Sequence, residues 1–295
     1  MRAPLRSHSA LHVKMVSEYL SAFLSTVFSI PSLVIIFLVM VVRIAVSTDW
    51  YKKFFAKMES NSAQLVKGIM APLKQKIFVE LGHHLKEVEG DVLEIGIGAG
   101  ENFDVYPEGT SLIAVDSNPH VVELLTENLK KAGERVHLKK FVLASVEDMS
   151  CSLGKPGVED NSVAAVVCTM VLCSLTDDQT TKTLAEVKRG LEPGGRFFFL
   201  EHVAGKPWTL QYFVQHLLTK LLIYPTLFNG CRCNKETLAS IKQAGFKTVQ
   251  AEKGWLQWSS EAISKPLNPF TFLLVRSAFA IVNSARALIG YFKVT

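Results

Sequence analysis

Glu94 stands two residues ahead of Gly96, the first of the glycines at 96, 98 and 100, and these glycines follow the run 91–95, which reads as a buried strand, at once. Glycine lets a chain turn sharply and lets a ligand come close to the backbone. The run therefore suits a strand that ends against a bound small molecule. A dinucleotide loop wants G-x-G-x-x-G, and here the third glycine comes one position early. Twenty residues after Gly96, the apolar stretch 111–115 ends in Asp116. An acid at a strand tip at that distance suits the two hydroxyls of a ribose.

His202, beside Glu201 at the end of another apolar run, is the candidate base or orienting group. Cys173 reads as a small core residue. The pair Cys231 and Cys233 looks like half of a zinc site, but neither a second pair nor a His stands at a matching spacing. No metal is expected. The five cysteines are irregularly spaced in a long chain, which reads as reduced thiols and not as a disulfide framework.

A sheet must hold these residues. Residues 136–143 and 163–169 read as the third and fourth strands, the latter apolar on both faces as a parallel sheet requires. A helix over about 178–191 ends at Glu192-Pro193-Gly194-Gly195, a stop-and-turn signal, and 196–202 is the fifth strand. Strands alternating with helices give an open α/β sheet with its ligand at the strand carboxyl ends. Residues 208–228 carry apolar side chains at helical spacing, which fits ordinary core or a lipophilic pocket.

At 295 residues, 48% of them hydrophobic, and a mean hydropathy of +0.23, the chain is neither disordered nor fibrous and points to a membrane segment. Lys and Arg outnumber Asp and Glu by 32 to 27 overall and by 7 to 3 within residues 1–60. A nucleic-acid binder carries its basic charge on the folded domain, so nucleic acid is not an expected partner. Residues 19–42 hold no charge over 24 positions. As a helix they span about 36 Å, enough for a hydrocarbon core of about 30 Å. Pro31 kinks such a helix, so a hairpin in one leaflet is the alternative to a span. The expected order is a basic tail (1–18), a membrane anchor (19–46), a basic juxtamembrane linker (47–60) and a domain over 61–295. The slight basic bias after the anchor puts the domain on the cytosolic side. Residues 1–14, with Arg, Ser and His but no acid, also fit a mitochondrial presequence.

Glu94-x-Gly96-x-Gly98-x-Gly100, the Asp116 strand tip and Leu191-Glu192-Pro193-Gly194-Gly195 together resemble the class I S-adenosylmethionine-dependent methyltransferases, over residues 90–202. A closer resemblance runs through Tyr106-Pro107, Asp116-Ser117-Asn118-Pro119, Glu147-Asp148-Met149, the segment 167–174 and Glu201-His202-Val203. These segments are similar to the membrane-anchored thiol S-methyltransferases of the methyltransferase-like family.

That resemblance implies an α/β fold: a seven-stranded, mostly parallel, doubly wound sheet of Rossmann-like type with an N-terminal hydrophobic membrane helix. It implies S-adenosylmethionine as cofactor, a small lipophilic thiol as acceptor, and residence on endoplasmic reticulum or lipid droplets; the mitochondrion stays the alternative that residues 1–14 offer. Gly96, Gly98 and Gly100 would lie against the methionine part of the cofactor and Glu94 would reach its amino group. Asp116 would take the ribose hydroxyls, with Ser117 and Asn118 beside the adenine. Ser145, Val146 and Glu147 would hold the adenine edge, while Cys168 and Thr169 would end the fourth strand near the sulfonium. The family pattern also implies a helix over 61–85 that caps the cofactor. Its last strand, 287–294, would pair with 246–252 after a helix N-capped by Asn234, leaving a hydrophobic insertion at about 256–286. Methyl transfer from a sulfonium is an in-line displacement, and a thiol of pKa about 8.5 needs no strong base. The competing readings are C- or O-methylation of a membrane lipid such as a quinone precursor, and a non-catalytic lipid-droplet or membrane protein.

Overall fold

The computed structural model describes residues 15–22, 24–25, 34, 37, 40–41, 44, 48–152, 155–255 and 286–293. The chain divides into two units, Met1–Thr48 and Asp49–Thr295. In the first, the described residues between 15 and 44 are helical. Among the described residues no helix is long and apolar enough to cross a membrane. Much of the expected anchor 19–46, and the insertion up to residue 285, lie outside the described residues.

The second unit begins with α1 (Asp49–Glu87) and β1 (Val92–Ile95). It continues through β2 (Thr110–Asp116), α2 (Val121–Ala132), β3 (Val136–Leu143), β4 (Val163–Thr169) and α3 (Asp177–Gly190). The remaining elements are β5 (Leu191–Val203), α4 (Leu210–Lys220), α5 (Ile223–Leu227), α6 (Thr237–Gln243), β6 (Lys247–Trp255) and β7 (Arg286–Lys293). The sheet runs β3-β2-β1-β4-β5-β7-β6. Its first five strands are mutually parallel, and β7 is antiparallel to both neighbours. The direction of the order reverses between β1 and β4, the place where open α/β sheets bind ligands.

The central strands are buried and mostly apolar because helices cover both faces. Side chains alternate between two cores. Phe198 and Leu200 join Ile77, Phe78 and Leu81 of α1 on one face, whereas Phe197 and Phe199 join Leu184 and Val187 of α3 on the other. Thr176 and Gln179 close a capping box at the start of α3.

Three expectations need correction. The stretch 47–60 is no linker: the chain is helical from Asp49 onward and belongs to the domain. No proline interrupts it before Pro72, so Lys52, Lys53 and Lys57 lie on one continuous helix. The fifth strand does not wait for residue 196 either: α3 ends at Gly190, as the stop signal implies, but the turn residues 192–195 are taken into β5. Leu191 already pairs with Val163 and Arg196 with Ala165, so those residues form a bulge inside β5 with Gly194 at φ +92°. Finally, Asn234 caps nothing, because α6 starts at Thr237 after Glu236. The carbonyl of the residue between, Lys235, accepts from the Ala204 N–H at 3.0 Å and its ammonium pairs with Asp177, which holds 234–236 out of the helix.

At the carboxyl end of β5, Glu201 is wholly buried. Its Oε1 accepts from the N–H groups of Val171 (3.0 Å) and Leu172 (2.9 Å) and from the Cys168 thiol (3.2 Å). Its Oε2 accepts from the Cys173 N–H at 3.0 Å. Glu201→Ala strands three N–H groups, those of Leu172 and Cys173 buried and that of Val171 partly so, at about 1 kcal/mol each. Urea unfolding of this variant is expected to show a loss of about 3 kcal/mol, and a loss below about 1 kcal/mol would contradict the clamp.

Candidate active site

Glu94, on β1, is fully buried. Its Oε1 accepts from Asn102 Nδ2 at 2.6 Å and its Oε2 from the Tyr106 hydroxyl at 2.7 Å. Asn102 Nδ2 also donates to Thr169 Oγ1 at 2.9 Å, which ties the glycine loop to the end of β4. Burial pushes the Glu94 carboxyl up to about 7, against the pull of Tyr106, Asn102 and the Lys74 ammonium. Asn102 Oδ1 is buried with no hydrogen-bond partner among the described residues. An acceptor without a donor beside a carboxylate short of positive charge is a place that fits an amino group.

Gly96 has φ +66°, and a Cβ there would lie 2.4 Å from Val171 Cγ2, so the turn has room for glycine only. The Gly98 N–H donates to Asp116 Oδ2 at 2.9 Å, and the Asn118 N–H donates to Asp116 Oδ1 at 2.8 Å. Burial lifts the Asp116 carboxyl above the usual carboxylate range despite those backbone bonds. Gly100 completes the turn at φ +80°.

The neighbouring strand ends share this rim. Asn118 Oδ1 accepts from the His120 N–H at 3.1 Å, and Ser117 is exposed beside it. The Ala144 N–H donates to the Asp116 carbonyl at 3.1 Å, bringing the end of β3 to the end of β2. Beyond it Ser145 is exposed, Val146 is buried, and Glu147 accepts from Gln179 Nε2 of α3 at 2.6 Å. Glu94, Gly96, Gly98, Gly100, Asp116, Asn118, Val146, Glu147 and Thr169 thus come to one edge of the sheet. Cys168 does not open onto it: its thiol is given to Glu201.

His202 is also placed differently from a free-standing base. It is buried, with Nδ1 3.1 Å from Cys231 Sγ, and its ring stands edge-on to Tyr224. The Cys231 thiol in turn lies 3.0 Å from Cys173 Sγ. Burial alone would raise the Cys231 thiol, but Cys173 and the His202 ring outweigh it and bring it down to about 6. Cys173 is held well above the ordinary thiol range by Cys231 and by burial. Asn229 (φ +46°) and Gly230 (φ +84°) turn the chain so that Cys231 meets this pair. Sequence reasoning missed Asn102 and Tyr106 as partners of Glu94 and missed the Cys231 cluster. The only local signals were the Tyr106-Pro107 likeness and the Asn-Gly turn dipeptide at 229–230.

A methyltransferase-domain family model matches residues 93–199. Two solved structures share the fold at a TM-score of 0.50 and 13% identity. They are the [4+2]-cyclase SpnF, over 82% of this chain and 95% of that one, and a putative sarcosine dimethylglycine methyltransferase from Galdieria sulphuraria, over 76% and 85%. The fold and the strand-end rim define a class I methyltransferase, whose usual methyl donor is S-adenosylmethionine. Human thiol S-methyltransferase TMT1A is 34% identical over 216 residues, 69% of this chain and 82% of the relative. The rat thiol S-methyltransferase TMT1B is 35% identical over 59% of this chain and 68% of the relative. The chain belongs to the thiol S-methyltransferase family.

Glu94 makes stability depend on pH. Its folded-state value of about 7 lies above the ordinary 4.5, so the folded protein binds the proton more tightly. The stability this confers is complete below about pH 4.5 and is lost as pH rises to about 7, at roughly 1.4 kcal/mol per pH unit, or about 3 kcal/mol in all. Unfolding free energies of the unliganded protein across that window are expected to fall with pH, and to fall less steeply in Glu94→Gln. Equal slopes in the two proteins would contradict the assignment.

Proposed function

We propose that this protein transfers a methyl group from S-adenosylmethionine to the sulfur of a small lipophilic thiol at a membrane surface. The observation that carries the reading is the identity to proteins named as thiol S-methyltransferases, extending over most of human TMT1A, combined with a complete strand-end rim. The donor supplies an electrophilic sulfonium methyl that a thiolate displaces in line. Glu94 and Asn102 Oδ1 bind its amino group, Asp116 takes the ribose hydroxyls, and the turn at Gly96 and Gly98 lets the backbone come close. Residues 144–147 face the base. The chain's task is alignment and exclusion of water, because an unperturbed thiol of pKa about 8.5 already supplies several per cent thiolate near neutrality.

Exposed apolar surface supports the membrane part. On α4, Leu210, Phe213 and Leu217 recur on one helical face, continued by Leu221 at its C-cap, and Trp208 before them is 87% exposed. Trp50 stacks on Phe54 at 5.4 Å near the start of α1, both exposed and followed closely by lysines. The Tyr51 hydroxyl donates to the Thr226 carbonyl at 2.7 Å, which brings this end of α1 to α5. A band of apolar and aromatic side chains with lysines fits a bilayer interface, and the uncharged run 19–42 lies just before it in sequence. The domain faces the cytosol on endoplasmic reticulum or lipid droplets in this reading.

The test is methyl transfer from labelled S-adenosylmethionine by the purified, detergent-solubilised chain. The panel holds a long-chain alkyl thiol, the alcohol of equal length and a quinol precursor. Labelled thioether from the thiol alone is the expected result. Transfer to the quinol or the alcohol in preference to the thiol would replace this reading with C- or O-methylation.

A further inference from the structure

The rim that binds the methyl donor makes no use of Cys173, His202 and Cys231. Their Sγ, Nδ1 and Sγ atoms lie within 4.8 Å of one another, and all three residues are buried. They arrive from three segments: the turn after β4, the end of β5 and the loop after α5. Each is held by its backbone. The Cys173 N–H donates to Glu201 Oε2 at 3.0 Å, and the Arg232 N–H donates to the Cys173 carbonyl at 2.8 Å. The Cys231 N–H donates to the Phe228 carbonyl at 2.9 Å, and His202 sits in the β5–β7 ladder opposite Ala287. Ligands fixed in this way have lost most of their freedom before anything binds.

The donor set is selective. Two thiols and an imidazole suit zinc and similar thiophilic ions and disfavour the hard, oxygen-binding cations. Zinc bonds of about 2.3 Å to sulfur and about 2.1 Å to nitrogen, arranged tetrahedrally, put ligand atoms about 3.6–3.8 Å apart. The present separations of 3.0 Å (Sγ to Sγ) and 3.1 Å (Nδ1 to Sγ) need to open by less than about 1 Å to reach that. Cys233, two residues along, is not part of the group. Its Sγ lies 3.7 Å from both the Gln215 carbonyl and Thr219 Oγ1. Structural zinc sites carry four protein ligands, whereas three protein ligands leave a position for water or substrate.

We propose that Cys173, His202 and Cys231 bind one zinc-like divalent cation whose fourth position takes the sulfur of the acceptor thiol. Binding releases the thiol protons of Cys173 and Cys231, so two thiolates balance the charge of the ion. An acceptor thiol that coordinates it gives its own proton to solvent and is held as thiolate, which supplies the nucleophile without a protein base. The apolar side chains of Met170, Leu218 and Phe228 pack against the cluster that includes Cys173 and Cys231, in keeping with a lipophilic acceptor. The acceptor half of this proposal rests on the thiol reading above; the metal half does not.

The experiment titrates cobalt(II), a spectroscopic substitute for zinc, into the metal-free full chain in detergent. One equivalent is expected to give a thiolate-to-cobalt charge-transfer band, lost in Cys231→Ser and kept in Cys233→Ser, with circular dichroism confirming that both variants are folded. No band in the wild type, or a band that survives in Cys231→Ser, overturns the site. Adding a long-chain alkyl thiol is expected to shift the band, while the alcohol of equal length leaves it in place. A band the thiol does not move overturns the acceptor half. Metal-free enzyme that methylates the thiol at the full rate overturns the role of the ion and leaves the thiol reading standing. A cobalt band with no thiol shift and no methyl transfer removes the thiol reading and leaves the metal site.

Discussion

The site depends on burying one carboxylate, that of Glu94, completely at the end of β1. A buried carboxylate must be given donors, and the chain draws residues 102–106 back over the strand to provide them. Asn102 then reaches Thr169 and fixes the gap between β1 and β4. Tyr106 meets Phe78 of α1 edge-on at 4.8 Å, so the long helix is seated by the same network. Two donors do not fully offset the lost hydration, and the carboxyl rests at about 7. The loop is therefore closed but short of positive charge, the condition that favours an ammonium-bearing ligand.

A second buried carboxylate, Glu201, acts from the other neighbour of β4. Glu94 on β1 and Glu201 on β5 flank β4 in the sheet. One holds the hydroxyl of Thr169 through Asn102, and the other holds the backbone of residues 171–173. Between them Met170 is forced to φ +62°, a conformation that a side chain rarely takes without being over-determined by its surroundings. This grip divides the edge of the sheet into a glycine-loop side over β1, β2 and β3, where the proposed function puts the methyl donor, and a cysteine–histidine side over β4 and β5. The thiol and metal proposals both rest on that division.

The glycine-loop side was legible in the sequence because its signals are local. The strand ends, the glycines at 96, 98 and 100 and the acid at 116 are each read from a few consecutive residues, and the bounds of β3 and β4 match the reading at both ends. The cysteine–histidine side was not legible. Cys231 stands 58 residues from Cys173 and 29 from His202, and only the parallel crossover brings them together. The C-x-C spacing is no guide to the group either, because Cys233 faces α4 and only Cys231 reaches Cys173 and His202. The start of the domain was missed for a related reason: Lys52, Lys53 and Lys57 were read as a charged linker, whereas they sit on a helix that the fold continues to Glu87.

The affinity for S-adenosylmethionine as a function of pH tests the proposed donor site most directly. If the amino group of the donor binds the ionised Glu94 carboxylate, the free protein must release a proton near pH 7 to bind it. Calorimetric affinity is then expected to rise between pH 5.5 and 7 with a slope approaching tenfold per pH unit, about the full linkage of one proton. In Glu94→Gln it is expected to be weaker and flat over the same range. An equal slope in both proteins, or undiminished affinity in the variant, would contradict the placement of the donor at the tip of β1.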